Sequence, residues 1–156
     1  MSFRVVAAVA AAIFVVPGAA SAQVLHEPNI SVELGLIIAQ TALAECGSHV
    51  SVAVVDRTGR LRVFLQGNAA APHNIELARR KAYTAETFGR TSWEWAQRTE
   101  TQTQGQRALT DVIPLQGGVP IKVGDDIVGG VGLSGSPGVD EPCVQAGLDK
   151  VADELK

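Results

Sequence analysis

Few side chains in this sequence of 156 residues could bind a metal or act as a nucleophile. The histidines, the cysteines and the one methionine are His26, His49 and His73, Cys46 and Cys143, and Met1. The cysteine spacing matches neither a zinc-binding motif nor a C-x-x-C redox pair. An even number of cysteines favours one disulfide in an oxidising compartment, with two buried free thiols as the alternative.

Residues 130–135 spell G-x-G-x-x-G, the pattern of dinucleotide-binding loops. Such a loop is followed by a helix, a second parallel strand and an acidic residue roughly 20 residues further on. Here the glycines lie partly within a predicted strand, and one helix-length segment follows them before Lys156. We therefore expect no nucleotide. Gly129, Gly130 and Gly132 should instead leave a bare strand face where a helix, another chain or a ligand meets the backbone.

Two other kinds of chemistry receive little support. Ser134 lies in a near match to the G-x-S-x-G nucleophile motif, but no histidine follows it to complete a triad, so a hydrolase is not expected. Weak iron binding by surface carboxylates stays open as an alternative, although no E-x-x-E or E-x-x-H spacing favours it. The carboxylates in question are those of Glu94, Glu100, Asp140 and Glu141.

Residues 1–22 have the pattern of a secretory signal peptide. A short basic region ends at Arg4, residues 5–16 are apolar and uncharged, and residues 20–22 form an A-x-A cleavage site. Cleavage after Ala22 leaves 23–156 as a single domain, periplasmic or secreted, with no membrane span. Without Arg4 this domain has 12 basic and 16 acidic residues, so nucleic acid is not an expected partner.

Helix and strand signals alternate along the domain in the order α-β-β-α-α-β-β-β-α. The predicted helices cover 31–46, 73–88, 91–98 and a stretch from 139, and the predicted strands cover 50–56, 61–66, 109–115, 119–123 and 127–133. The polar stretch 99–106 should be a mobile surface loop. Hairpins with short connections predict a mainly antiparallel sheet flanked by helices, an α/β fold of the α+β kind. If the first and last helices pack antiparallel on one face, Cys46 and Cys143 meet at their adjoining ends.

Several of these segments resemble one protein family. Residues 50–59 are similar to its first hairpin, residues 76–91 to its central helix, and residues 117–148 to its C-terminal half. The chain resembles the GlcG/HbpS-like family, also called the haem-degrading domain family, which includes the C-terminal domain of PduO-type proteins. The resemblance implies a profilin-like sandwich with a five-stranded antiparallel sheet and homo-oligomeric assembly. It also implies haem binding, because some members of the family bind haem. One extracellular type in the family works beside a sensor kinase.

A haem cofactor needs an axial ligand for its iron and an apolar slot for the porphyrin. His73 is the first choice, because it stands at the expected start of the second helix, where free N–H groups can also receive a propionate. Arg79, Arg80 and Tyr83 follow on the next turns as further cofactor-binding candidates. His26 is a candidate across an oligomer interface, and His49 is expected to be a structural turn residue.

The functional hypothesis is an exported haem-binding oligomer that senses or scavenges haem or iron, with a sensor protein as a further partner. Haem degradation follows only from the family's label, so no catalytic residue is assigned and enzymatic activity stays open. The alternative is a non-catalytic structural or small-molecule-binding oligomer with no role for haem, in which the glycine-rich strand is only a packing surface.

Overall fold

The computed structural model describes residues 24–156, and the predicted signal peptide lies outside that range. Within it the chain forms four α-helices, four β-strands and one 3-10 helix at Gln104–Ala108. In chain order these are α1 (Val32–Cys46), β1 (Ser51–Asp56), β2 (Leu61–Gln66), α2 (Asn74–Phe88), α3 (Ser92–Thr101), β3 (Gly118–Val123), β4 (Asp126–Ser134) and α4 (Asp140–Asp149). No helix of residues 24–156 is both long and apolar enough to cross a membrane.

The strands form one antiparallel sheet in the order β2-β1-β4-β3. β1 is buried along its whole length, because β2 and β4 pair with its two edges and helices cover both faces. Its side chains alternate between the faces, as the pleat of a strand requires. Val52 and Val54 belong to the core shared with α1 and α4, whereas Ala53 and Val55 pack against α2. The α+β class and the antiparallel sheet are therefore confirmed.

α1 and α4 pack antiparallel on one face of the sheet and are joined by a disulfide. Cys46 is the last residue of α1 and Cys143 lies near the start of α4, with their Cα atoms 5.8 Å apart. Further along the two helices, a Cβ on Gly147 would lie 2.6 Å from the carbonyl oxygen of Ile38. The predicted pairing of Cys46 with Cys143 is confirmed, for the geometric reason expected.

On the other face, the backbone of α2 lies directly on β4. A Cβ on Gly132 would lie 2.2 Å from the carbonyl oxygen of Ala78 and 2.4 Å from the backbone nitrogen of Ala82. A Cβ on Gly130 would lie 2.4 Å from the carbonyl oxygen of Ala82. We call this contact of Gly130 and Gly132 with Ala78 and Ala82 the glycine seam. For Gly130 and Gly132 it confirms that a helix meets the bare strand face, whereas a Cβ on Gly129 would lie 3.0 Å from a side-chain carbon of Ile30, before α1.

The predicted strand over residues 109–115 is wrong, and with four strands in residues 24–156 a five-stranded sheet is not confirmed. The backbone of this segment bonds to side chains of α2 instead of to a neighbouring strand. The guanidinium of Arg80 donates to the carbonyl of Val112, and the N–H of Ile113 donates to the hydroxyl of Thr84 at 2.9 Å. Asp111 has a positive φ of 69°, which bends the chain just before these contacts.

Residues 99–106 were expected to form a mobile surface loop, but they include the end of α3 and the start of the 3-10 helix. α3 continues to Thr101, and the 3-10 helix begins at Gln104. The fully buried hydroxyl of Thr99 donates to the carbonyl of Trp95 at 2.9 Å. The guanidinium of Arg107 donates to the hydroxyl of Thr99 and to the carbonyl of Ala96. Side-chain hydrogen bonds therefore hold this polar segment against α3.

Candidate functional site

A cavity of about 490 Å³ opens where the start of α2, the turn before β1 and the segment leading into α4 come together. Ligand sites for small molecules typically have volumes of roughly 300–1,000 Å³. The apolar part of the lining includes Ala69, Ala71, Leu77, Leu115 and Pro137. The polar part includes His49, His73, Asn74, Lys81, Gln116, Ser134 and Asp140. An apolar slot with a few convergent polar groups is therefore present.

His73 lies on this lining at the N-cap position of α2, and its exposed imidazole does not cap the helix. The N–H of Asn74 donates to the carbonyl of Ala71 at 3.0 Å, and the N–H of Ile75 donates to the carbonyl of Pro72 at 3.3 Å. These bonds occupy two of the donors that were expected to receive a propionate. The position of His73 at the helix start is confirmed, but the expected anion site at these two N–H groups is not.

The buried side chain of Asn74 ties three walls of the cavity together. Its Nδ2 donates to the carbonyl oxygen of His49 at 3.3 Å, and the hydroxyl of Ser134 donates to its Oδ1 at 3.4 Å. The turn before β1 and the end of β4 are thereby held at the first residue of α2. His49 lies in the turn before β1, as expected, and it also lines the same cavity as His73.

A buried ion pair between Lys81 of α2 and Asp140 of α4 also lines the cavity. The Nζ of Lys81 lies 2.7 Å from Oδ2 of Asp140 and donates to the carbonyl of Leu133 at 2.9 Å. The other carboxylate oxygen of Asp140 accepts from the N–H of Ser136 at 2.8 Å. The two side chains are only 4% and 3% exposed. The pair fixes α2, β4 and α4 relative to one another around the cavity.

The helical position of Lys81 explains why a lysine points inward. Buried residues recur along α2 every three or four positions, which places them on one face. The apolar spacing of Ile75, Ala78, Ala82, Ala85 and Phe88 in the sequence predicts one buried stripe, but Ile75 is 41% exposed. The residues that the helix buries towards the sheet and cavity include Asn74, Ala78, Lys81, Ala82 and Ala85. Lys81 lies three residues after Ala78 and four before Ala85, and this spacing in the sequence places it on the buried face.

Arg79 and Arg80 lie outside the lining and make structural contacts. Arg79 pairs with Asp111 at 2.6 Å and with Glu76 at 2.9 Å, and the hydrogen bond to Asp111 raises the pKa of the guanidinium. Arg80 donates to the backbone carbonyl of Val112. Both arginines therefore hold the segment before β3 on α2, and the structure does not bring them together with His73 in the cavity.

Tyr83 and His26 are likewise separate from the cavity lining. The ring of Tyr83 packs on the turn between β1 and β2, where a Cβ on Gly59 would lie 2.6 Å from it. His26 is exposed in the segment before α1. Within one protomer, His73 is thus the one predicted cofactor-binding residue that lines the cavity.

The carboxylates proposed for weak iron binding have other partners. Glu94 accepts from the N–H of Thr91 at 2.9 Å in the capping box of α3, and Asp140 pairs with Lys81. Burial raises the pKa of Glu141, although a hydrogen bond from Thr91 opposes this change. In the part of the chain that the structure describes, no three His, Cys, Asp or Glu side chains are grouped to hold a metal ion.

Residues 30–149 match the family model described as "Haem degrading protein HbpS-like". The chain belongs to the HbpS-like family. The match spans every helix and strand described above, and it confirms the resemblance found in the sequence. No match was found among curated protein sequences.

Solved structures of HbpS and of PduOC have a fold similar to that of this chain. A crystal structure of a double mutant of Streptomyces reticuli HbpS is 32% identical, with a TM-score of 0.77, and covers 91% of this chain and 98% of that one. Another crystal structure of HbpS is 31% identical, with a TM-score of 0.77, and covers 86% and 99%. The crystal structure of a PduOC:haem complex shares the fold at 22% identity, with a TM-score of 0.69 and coverage of 78% and 94%.

Proposed function

We propose that this chain binds haem in the cavity between α2, β4 and α4, with His73 as the axial ligand of the iron. The observation that carries the proposal is that His73 and His49 line one cavity whose walls include alanine, leucine and proline side chains. Imidazole is a common axial ligand of haem iron, and the porphyrin needs an apolar slot. Membership of the HbpS-like family and a haem complex of the structurally similar PduOC support the same ligand.

Each group has a role in this proposal. His73 provides the ligating nitrogen, because its imidazole is exposed at the cavity and does not cap α2. His49 is the second candidate ligand, held in place by the bond from Asn74 to its carbonyl. Leu77 and Leu115 contact the porphyrin with apolar surface. Haem would supply an iron centre, and we assign no residue of this chain a catalytic step.

Titration of residues 23–156 with hemin tests the proposal. We expect a saturable Soret change at one haem per chain, which weakens in His73→Ala. His26→Ala is the matched control, because His26 is exposed outside the cavity, and it should titrate like the unaltered chain. His49→Ala shows whether the second imidazole contributes. No saturable change at micromolar hemin would refute haem binding, and an unaltered titration of His73→Ala would refute the ligand assignment.

We further propose that the mature chain is exported, forms a homo-oligomer, and senses or scavenges haem or iron together with a sensor protein. The N-terminal sequence pattern and the disulfide support export, because disulfides persist in oxidising compartments. Val32, Leu36 and Ile37 expose apolar surface on α1, which supports self-association. Size-exclusion chromatography with light scattering tests the assembly, and the mass of a single chain would contradict it.

A further inference from the structure

Lys81 has one ammonium hydrogen more than its partners use. A lysine ammonium carries three N–H donors and no acceptor. Among residues 24–156, two oxygens accept from its Nζ, namely the carbonyl of Leu133 and Oδ2 of Asp140. Its side chain is 4% exposed, yet it lines the cavity. The remaining donor therefore has no acceptor among the described residues, on a buried side chain that borders the cavity.

The burial of the Lys81 ammonium in the cavity wall costs free energy. Moving a charge out of water costs several kcal/mol, and a buried ion pair is often no more stabilising than apolar residues of the same volume. Holding α2, β4 and α4 together accounts for two of the three donors of Lys81 and leaves the third without an acceptor among the described residues. The position of Lys81 on the lining instead suits an oxygen acceptor on the bound ligand.

The charges around Lys81 indicate a carboxylate as that acceptor. Asp140 shares its negative charge with the N–H of Ser136, which donates to Oδ1 at 2.8 Å. Asp140 is also the first residue of α4, where the positive end of the helix dipole offsets part of a negative charge. Asp140 therefore interacts with other positive groups besides Lys81, and a ligand carboxylate could share the ammonium with it. Hydrogen bonds between an ammonium and a carboxylate are among the stronger ones in proteins.

We propose that Lys81 holds a carboxylate of the ligand at the inner wall of the cavity, which is a haem propionate if the proposed function is correct. Lys81 then anchors one end of the ligand while His73 binds the iron. Asp140 holds the ammonium in place before the ligand arrives. Because Asp140 is itself negative, it also weakens the attraction between Lys81 and the ligand carboxylate.

Two variants and two ligands test this assignment. Hemin has free propionates, whereas hemin dimethyl ester has the same porphyrin and iron with neutral ester groups. Asp140→Asn removes the neighbouring carboxylate and keeps Lys81, and Lys81→Met/Asp140→Asn removes both ionisable groups, so neither variant leaves a carboxylate buried without its partner. Circular dichroism and a thermal melt establish that each variant is folded before titration.

We expect the double variant to bind hemin about tenfold or more weakly than the unaltered chain, the loss typical of a hydrogen bond between charged groups. Asp140→Asn should bind hemin more tightly, because the competing negative charge is gone. Neither change should alter the affinity for the dimethyl ester by a comparable factor. If both ligands change equally in both variants, or neither changes, the Lys81 assignment is overturned while haem binding stands. If the unaltered chain binds neither ligand, both proposals fail.

Discussion

Because α2 lies directly on β4 at the glycine seam, we predict that a methyl group added at Gly132 will push α2 away from the sheet. In Gly132→Ala the new Cβ would lie 2.2 Å from the carbonyl oxygen of Ala78 and 2.4 Å from the nitrogen of Ala82. Both neighbours are helix backbone, so no side chain can rotate away. To restore ordinary contact at 3.4 Å or more, α2 must retreat from β4 by roughly 1 Å.

The loss of stability in Gly132→Ala depends on the residues that pack along the glycine seam. Ala53, Val55, Ala78 and Ala82 are all fully buried between α2 and the sheet, so a retreat loosens the packing of all four. Overpacking a well-packed core costs about 1–3 kcal/mol and occasionally more, and backbone neighbours place this site at about 3 kcal/mol. For a chain of this length, each kcal/mol lowers Tm by roughly 2–4 °C, so we expect a fall of about 6–12 °C.

Chemical and thermal unfolding of Gly132→Ala measure this cost against Gly105→Ala. Among residues 24–156 no atom counted as a contact lies within 4 Å of a Cβ added to Gly105, and the same substitution there should change the free energy of unfolding by less than about 0.5 kcal/mol. If haem binds as proposed, the hemin affinity of Gly132→Ala should fall as well, because His73 is the N-cap residue of α2 and Lys81 lies within α2. A Gly132→Ala protein that unfolds like the Gly105 control would refute the close approach of α2 to β4.

Three further predictions concern other contacts. Replacing Cys46 and Cys143 by serine should lower the free energy of unfolding by about 4–5 kcal/mol, because the disulfide closes a loop with a sequence separation of 97, and thiols that alkylate in the unreduced protein would contradict the pairing. Burial would raise the pKa of Asp56, but hydrogen bonds from Thr58 and Arg60 hold it below its usual value. The charged carboxylate therefore adds stability above the unfolded pKa of about 3.9, and this is lost as pH falls through the lower folded pKa. Asp56→Asn should cost about 1–3 kcal/mol at neutral pH, with a gap to the unaltered protein that narrows in acid; a pH-independent gap would be inconsistent with this account. Thr91→Ala should cost about 1 kcal/mol by removing the capping box of α3, and an unchanged urea midpoint would show that the cap contributes nothing.

Local patterns in the sequence were sufficient to predict most helices and strands. Ser31 caps α1 as its residue type suggests, and Gly124 supplies the positive φ of 57° in the turn between β3 and β4. The apolar residues of 109–115 also look like a strand. Their backbone groups are instead bonded by Arg80 and Thr84 from α2, and no pattern within seven residues can reveal a competing partner so far along the chain.

The cavity was predictable only in part for the same reason. His73 was identified because it stands at a helix start, which is a local property. Lys81 sits on the buried face by its spacing, but its role depends on Asp140, which is 59 residues further along. The link from Asn74 to His49 likewise joins two segments that only the packing of α2 on the sheet brings together.

The disulfide between Cys46 and Cys143 makes the oxidised chain a covalent ring with two short arms. Almost all of α1 lies in one arm and the end of α4 in the other, whereas every residue that lines the cavity, from His49 to Asp140, lies within the ring. A single proteolytic cut at the exposed turn around Gly124 would leave His73 and Asp140 on different pieces of one molecule. The oxidised protein can therefore be cleaved once within this ring while the disulfide still joins the two parts of its cavity wall. In a reduced and cleaved protein, only non-covalent contacts would hold the two parts together.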